Sequence, residues 1–107
     1  MTTAFWAEVL IELLPTDKGG RVLPLDLCND NPGQYRPHLR VVGGSGEMLG
    51  VAFMDGPDEP VQPGGRTYAT IKGLYEGLVS YAELKKGVQF EILEGPHVVG
   101  RGEIVRL

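Results

Sequence analysis

The stretch Phe5–Leu13, FWAEVLIEL, carries the clearest periodic pattern in the chain. All its odd-numbered positions are apolar, and its even-numbered positions are Trp6, Glu8, Leu10 and Glu12. A period of two is typical of a strand with one buried face and one mixed face. Because Ala, Glu and Leu also favour helix, a helix over Ala4–Leu14 is the alternative. Five apolar residues that alternate without a break make the strand the preferred interpretation.

Working outward, five more short segments alternate in the same way, and turns rich in glycine and proline separate them. They are His38–Val42, Leu49–Phe53, Tyr68–Leu74, Val88–Leu93 and Val98–Leu107. The segment Tyr75–Lys86 is ambiguous, since it either continues the fourth strand or forms a short helical turn through Tyr81–Leu84. Six short strands of this kind indicate an all-β sandwich or a closed barrel. Closure is preferred because it removes edges that would pair with other chains.

The size and composition describe one ordinary globular domain spanning residues 1–107. Hydrophobic residues make up 42%, which argues against disorder. The net charge of −4 argues against a general nucleic-acid binder, and no DNA partner is expected. Cys28 is the single cysteine, so no internal disulfide forms, and we interpret it as a small half-buried residue or an unreactive thiol. No apolar run is long enough for a membrane span and no signal peptide is present, which together predict a cytoplasmic protein without a membrane partner.

Motifs for catalysis, metals and cofactors are absent from the sequence. No run fits the phosphate-binding loop of a GTPase. The two histidines and the one cysteine do not have the paired spacing of a zinc site. Ser45 and Cys28 have no base beside them in sequence, and Asp58-Glu59 is most simply a solvated acidic pair in a loop. The prediction is therefore a protein that is not an enzyme and holds no metal or cofactor.

Arg36 is the main candidate for binding a partner, because it stands between Tyr35 and Pro37. Proline restricts the backbone before it, so the guanidinium should point in a fixed direction. Such a group binds carboxylates, phosphates or carbonyl oxygens. In the alternative that we slightly prefer, Arg36 instead holds the loop Arg21–Gln34 through backbone carbonyls.

His38 and Arg40 share a strand side with Arg36 and complete a small basic stripe. We predict a ligand role for both, because Leu39 and Val41 supply the core from the opposite side. Trp6 is a further candidate, either as an exposed anchor at an interface or as a residue covered by Tyr75–Lys86. The sequence weighs these two alternatives equally.

Five motifs occur in an order that resembles the third domain of elongation factor Tu, the C-terminal β-barrel of that translational GTPase. These motifs are Phe5–Ile11, Gly19–Arg21, Tyr35–Pro37, Val61–Gly64 and Phe90–Gly102. The resemblance implies a six-stranded antiparallel closed barrel. It also implies contacts with the aminoacyl-tRNA backbone, the GTPase domain and the exchange factor. Carried over by motif, the contact residues are Arg36, His38, Gly95 and His97.

The chain departs from the family pattern where phosphate contacts are expected. Val22 follows the Gly-Gly-Arg motif in place of a histidine, His38 follows Tyr-Arg-Pro in place of a glutamine, and the last turn reads Gly95-Pro96-His97-Val98. We therefore expect a non-catalytic binding module with a protein partner, and keep tRNA and self-association as further possibilities. The alternative is a small ligand binder or enzyme that retained only the barrel, with a deep pocket beside Cys28, His38 or His97.

Overall fold

A computed structural model describes residues 4–27 and 34–107 of the chain, and in it six antiparallel strands close into a barrel. The strands are β1 (Trp6–Leu13), β2 (His38–Val41), β3 (Leu49–Asp55), β4 (Arg66–Gly73), β5 (Gln89–Glu94) and β6 (His97–Arg106). Around the barrel they follow the order β1-β4-β3-β2-β5-β6, and β6 pairs back onto β1. The predicted fold class is confirmed, and the helical alternative for Ala4–Leu14 is wrong.

The interior of the barrel is filled by apolar side chains. In β1 the odd-numbered positions point inward, as the alternation predicts, and Val9, Ile11 and Leu13 are fully buried. The rings of Phe53 and Phe90 are the largest fully buried side chains. No polar or charged residue among the described ones is buried. The hydrophobic effect therefore stabilises the barrel from the inside, and the polar chemistry lies on its outer wall.

Two glycines in β6 leave the space that these core side chains occupy. Gly102 pairs with Phe90, and a Cβ atom at Gly102 would lie 2.6 Å from Phe90 Cζ. A Cβ atom at Gly100 would lie 2.8 Å from the carbonyl oxygen of Glu12 in β1. The Val-Gly-x-Gly motif thus has a packing role, because any larger residue would collide with β1 or with the core.

The segment Tyr75–Lys86 forms tight turns and does not continue β4. One of these turns spans Tyr81–Leu84, where the second alternative put it, and the Leu84 N–H closes it by donating to the Tyr81 carbonyl at 3.0 Å. Tyr81 Oη accepts hydrogen bonds from the backbone N–H groups of Leu74 and Tyr75, at 3.1 and 2.9 Å, and donates to the Gly50 carbonyl at 2.6 Å. Its ring stacks on Phe5 at a centroid distance of 5.2 Å. Tyr81 therefore fastens this segment to the start of β3 and to the residue before β1.

The loop after β1 covers one end of the barrel. Leu25 and Val61 exchange two backbone hydrogen bonds of 2.9 and 2.8 Å, and the side chains of Leu25 and Leu27 are buried. The sequence prediction of an extended loop agrees with this part. The remainder of that loop, including Cys28, lies outside the described residues.

Candidate binding surface

The Tyr35-Arg36-Pro37 segment extends the pairing of β2 with β3. The Phe53 N–H donates to the Tyr35 carbonyl at 2.9 Å, and the Val51 N–H donates to the Pro37 carbonyl at 3.1 Å. Tyr35 packs against the Phe53 ring at a centroid distance of 5.5 Å, and Pro37 is buried. Arg36 lies between them and points the opposite way, into solvent, because side chains alternate along an extended segment.

The register between strands aligns two of the predicted residues, Trp6 and Arg36, in one row on the outer wall. Trp6 in β1 is paired with Lys72 in β4, and Lys72 is paired with Ala52 in β3. The two hydrogen bonds on either side of Arg36 place it across from Ala52. His38 is the next outward residue after Arg36 and is paired with Gly50. We call these five residues, Trp6, Lys72, Ala52, Arg36 and His38, the cationic strip.

Trp6 stays exposed at one side of the cationic strip. Its residue exposure is 44%, so it is not buried beneath Tyr75–Lys86, and the aromatic ring that this segment contacts is that of Phe5. Lys72 Nζ lies 5.5 Å from the centroid of the Trp6 ring, within the range of a cation–π interaction. An exposed indole beside a lysine can contact a partner with both an apolar face and a positive charge.

The charges of Arg36 and Lys72 are not matched by acidic groups in the part of the chain that the structure describes. None of the four ion pairs found there contains either residue. Three acids on neighbouring positions have other partners: Glu8 pairs with Arg106, Glu94 pairs with Arg21, and Glu76 accepts a hydrogen bond from the Phe5 N–H. The side chain of Arg36 forms no hydrogen bond with a described residue, so the loop-clamp role predicted for it finds no support within residues 4–27 and 34–107.

Tyr75 continues this surface next to His38. The Cδ2–Cε2 edge of its ring points at Gly50, where a Cβ atom would be 2.3 Å from Tyr75 Cε2 and 3.6 Å from His38 Nε2. Tyr75 itself is 46% exposed. Gly50 therefore allows an aromatic ring to lie against β3 and to widen the apolar part of the surface.

Gly95 and His97 form the turn between β5 and β6. Gly95 has a φ of 58°, which suits the first central position of a two-residue hairpin turn and favours glycine. His97 is exposed and pairs with Glu94 at the start of β6. The turn begins two residues beyond Leu93, which is the partner of His38, and so it lies beside the Arg36 end of the cationic strip.

Arg40 belongs to a different row from Arg36. Its guanidinium donates two hydrogen bonds to Glu91 Oε1, at 3.1 and 2.9 Å. The register continues from Glu91 to Arg101, from Arg101 to Glu12 and from Glu12 to Arg66. We call this transverse row of alternating sign, Arg40, Glu91, Arg101, Glu12 and Arg66, the charge ladder. Because each cation stands between or beside acids, the ladder largely neutralises itself.

A shallow groove of about 510 Å³ follows the charge ladder along β1, β6 and β5. Its apolar lining comes from Leu10, Val42 and Val98. A smaller groove of about 200 Å³ lies over β1 and β4 and is lined by Glu8, Asp55 and Tyr68 among others. Neither groove is lined by His38 or His97, two of the three residues beside which the ligand-binding alternative predicts a pocket.

Arg21, Tyr35 and Glu94 form a polar cluster that the sequence did not predict. Tyr35 Oη donates to Glu94 Oε2 at 2.6 Å, and Arg21 Nη1 donates to the same oxygen. Arg21 also donates to the Leu23 carbonyl at 3.3 Å, so among the described residues it is Arg21 whose side chain holds the start of the loop. Burial and then the hydrogen bond to Glu94 raise the pKa of Tyr35 far above its ordinary value of 10.0. The cluster ties Tyr35, the residue before Arg36, to Glu94 at the end of β5 and, through Glu94, to Arg21 in the loop after β1.

Lys72 and Tyr75 are also residues that the sequence reasoning missed as parts of a site. The alternation of apolar and polar residues in β4 indicates that Lys72 lies on the outer side with Tyr68 and Thr70. What was lacking was the pairing of β1 with β4, which brings Lys72 beside Trp6.

No model of a known protein family matches the chain. Within the described residues, no group of three or more His, Cys, Asp or Glu side chains is arranged to hold a metal ion. None of the helical residues described forms a helix long and apolar enough to cross a membrane.

Proposed function

We propose that this chain is a non-catalytic binding module, with a barrel of the type found as the C-terminal domain of elongation factor Tu, and that it binds a protein partner. The binding residues are those of the cationic strip together with the turn at Gly95 and His97. A cytoplasmic location is proposed with it, on the sequence grounds given above.

One observation carries this proposal: Arg36 and Lys72 lie in one outer row beside an exposed tryptophan, without acidic partners among the described residues. Exposed charges usually gain nearby counter-charges within the protein, as the charge ladder does on the other side. Arginine and tryptophan are also the residue types that contribute most to protein interfaces. A surface of this kind supports recognition rather than chemistry.

The order of motifs supports the choice of barrel type. Tyr35-Arg36-Pro37 has its aromatic ring half-buried against the core, its proline buried and its arginine exposed, and Gly100 and Gly102 fit against the core. Packing against the core is a structural reason for such motifs to occur in a barrel of this kind. A protein partner is preferred to tRNA because the net charge is −4 and the strip offers few cations, whereas nucleic-acid binding draws on many phosphate contacts.

The alternative of a small ligand binder or enzyme finds less support. It requires a deep cleft beside Cys28, His38 or His97, and the barrel interior is packed with side chains. Cys28 lies outside the described residues, so only the surroundings of the two histidines bear on this alternative. His38 is half-buried beside the Tyr75 ring, and His97 is exposed in a hairpin.

The test is a pair of titrations at low salt, one with purified exchange factor and one with aminoacyl-tRNA. We expect saturable binding of the protein, weakened about tenfold or more when Arg36→Ala and Lys72→Ala are combined. Arg101→Ala is the matched control, because it removes one arginine from the charge ladder, and it should change the Kd by less than about twofold. Failure of both titrations would remove the link to translation. Tight binding of tRNA alone would replace the protein partner by an RNA.

A further inference from the structure

A group of acidic side chains lies on the same wall of the barrel as the cationic strip. Asp55 ends β3 and is paired with Thr70, which lies on the outer side of β4 one row away from the strip. Asp58 and Glu59 follow in the next loop, and all three acids are exposed. Residues 55–65 include no Lys or Arg. We call these three residues, Asp55, Asp58 and Glu59, the acidic rim.

The loop that carries the acidic rim is held at both of its ends. It starts from β3, where Asp55 Oδ1 accepts a hydrogen bond from the next backbone N–H at 2.9 Å. It ends at Val61, which exchanges backbone hydrogen bonds with Leu25. Pro57 and Pro60 restrict the backbone between these two points. The acids therefore stand on a short, pre-ordered loop, and less entropy is lost when such a loop binds.

The cationic strip and the acidic rim do not pair within one molecule. None of the four ion pairs among the described residues contains Arg36, Lys72 or a residue of the rim. Two further acids near the strip are engaged, since Glu8 forms an ion pair with β6 and Glu76 accepts a hydrogen bond from the Phe5 N–H. Opposite charges thus lie side by side on one wall, and each group keeps its charge available to another molecule.

This arrangement makes the wall complementary to itself. Ala52 of the strip and Asp55 of the rim are three residues apart in β3, so they are separated by at most about 10 Å. A two-fold axis perpendicular to the wall exchanges the two groups: the strip of each copy then faces the rim of the other, and both contacts form together. The exposed rings of Trp6 and Tyr68 lie on the same wall and add apolar area, as aromatic residues do at interfaces.

We infer that the protein partner of the cationic strip is a second copy of this chain, whose acidic rim lies on the strip in a two-fold symmetric dimer. This inference rests on the proposed function, because it uses the same binding surface and names its partner. Another acidic protein would match the strip alone, whereas a second copy matches the strip and the rim at once.

Sedimentation velocity of the whole chain at low salt measures the association. We expect the average mass to rise toward that of a dimer as the protein concentration increases. Added salt should return it to the mass of the monomer, because salt screens exposed charges. Trp6 is the single tryptophan, so its fluorescence should change over the same range of concentration as the dimer covers the strip.

Charge reversal tests the two surfaces separately and then together. Arg36→Glu combined with Lys72→Glu reverses the strip, and Asp58→Lys combined with Glu59→Lys reverses the rim. Each double variant should raise the Kd for self-association about tenfold or more. An equimolar mixture of the two variants should associate again, with a Kd within about threefold of wild type, because each strip then meets a rim of opposite charge.

A matched control separates these contacts from the effect of net charge. Lys85→Glu combined with Lys86→Glu changes the net charge as much as the reversal of the strip does. Both lysines are exposed and precede β5, which is the strand opposite β4 in the barrel. This double variant should change the Kd by less than about twofold. Thermal melting shows that each variant is folded before its Kd is compared.

Several results would overturn the dimer. They are a chain that stays monomeric at every concentration, equal weakening by the lysine control, and a mixture of the two reversed variants that does not associate. Association that depends on the strip but survives reversal of the rim assigns the strip to a different acidic surface. A monomer that binds the purified exchange factor excludes the dimer and leaves the proposed function standing. A dimer that obeys the charge reversals while exchange factor and tRNA both fail to bind supports the second copy and removes the link to translation.

Discussion

Two rows of side chains cross the outer wall of this barrel, and they differ in how their charges are arranged. The charge ladder alternates cation and anion over five strands, from Arg40 to Arg66. The cationic strip crosses four strands or strand extensions with two full cations and no acid. Both rows arise from the same alternation along each strand. The comparison teaches that the electrostatic character of a β-barrel surface is set by the register between strands, and not by composition along any one of them.

The largest effect should come from beneath the charge ladder, where Gly102 faces the core. Gly102→Val would place side-chain atoms against Phe90 and against the Leu10 carbonyl, which a Cβ atom alone would approach to 2.8 Å. We expect the free energy of unfolding, measured in urea, to fall by about 3 kcal/mol. Gly95→Ala is the matched control: nothing lies within 4 Å of its Cβ position, and only the positive φ disfavours it, by about 1 kcal/mol. Equal losses from the two changes would contradict the packing role of Gly102.

The next effect belongs to the support of the cationic strip. Tyr81→Phe leaves the Tyr75 N–H without its partner and removes one of two hydrogen bonds at the Leu74 N–H and at the Gly50 carbonyl, which stay bonded to each other at 3.1 Å. We expect a loss of about 2 kcal/mol in the free energy of unfolding, since unsatisfied buried polar groups are costly. Loss of stability without any change in the Trp6 fluorescence maximum would show that the segment loosens while the row of Trp6 and Lys72 keeps its place. A stability equal to wild type would contradict the hydrogen-bonding role of Tyr81.

A smaller effect on stability, which depends on pH, is expected for the polar cluster and not for either of the two rows. Because the pKa of Tyr35 is raised in the folded state, the unfolded chain loses the proton above its ordinary value of 10.0 while the folded chain keeps it. This contribution to stability is complete below about pH 10 and is lost as the pH rises further. The prediction is that the difference in unfolding free energy between wild type and Tyr35→Phe shrinks from pH 9 to pH 11, both values chosen to span about one unit on either side of the ordinary pKa. A constant difference over that range would contradict the cluster geometry.

The smallest effect on stability is expected within the cationic strip itself. Arg36→Ala removes an exposed side chain without a described partner, so its melting temperature should match wild type within about 1 °C. Arg40→Ala breaks an ion pair in the ladder and should lower it slightly more. A clear fall for Arg36→Ala would restore the loop-clamp interpretation, with its contacts in residues 28–33.

The barrel was predictable from the sequence to within two residues at each strand boundary. Strand alternation is local information, and the inward face of β1 follows directly from Phe5–Leu13. For Tyr75–Lys86 the sequence left a turn through Tyr81–Leu84 as one of two alternatives, because the choice depends on Tyr81 reaching the backbone of Gly50, thirty-one residues earlier in the chain.

The binding surface was predictable only in part. Trp6, Arg36 and His38 were placed on outer faces correctly, since each follows its own strand's alternation. Their alignment with Lys72, and the separation of Arg40 into another row, depend on which strands are neighbours and in which register. Those facts come from long-range pairing that a single sequence does not display. The sequence therefore predicts basic surroundings for Arg40, whereas its cross-strand partner in the structure is the acid Glu91.

The neighbours of β1 have a consequence for how the chain folds. Glu8 in β1 pairs with Thr70 on one side and with Arg106 on the other, so the first strand made has no partner until much later in synthesis. High sequence separation between contacting strands slows folding, because a long loop must be ordered before the contact forms. Until β6 arrives, the nascent sheet presents two unpaired edges, those of β1 and β5, to other chains. The pairing of β6 with both of its neighbours is thus the step that removes these open edges and the risk of aggregation through them.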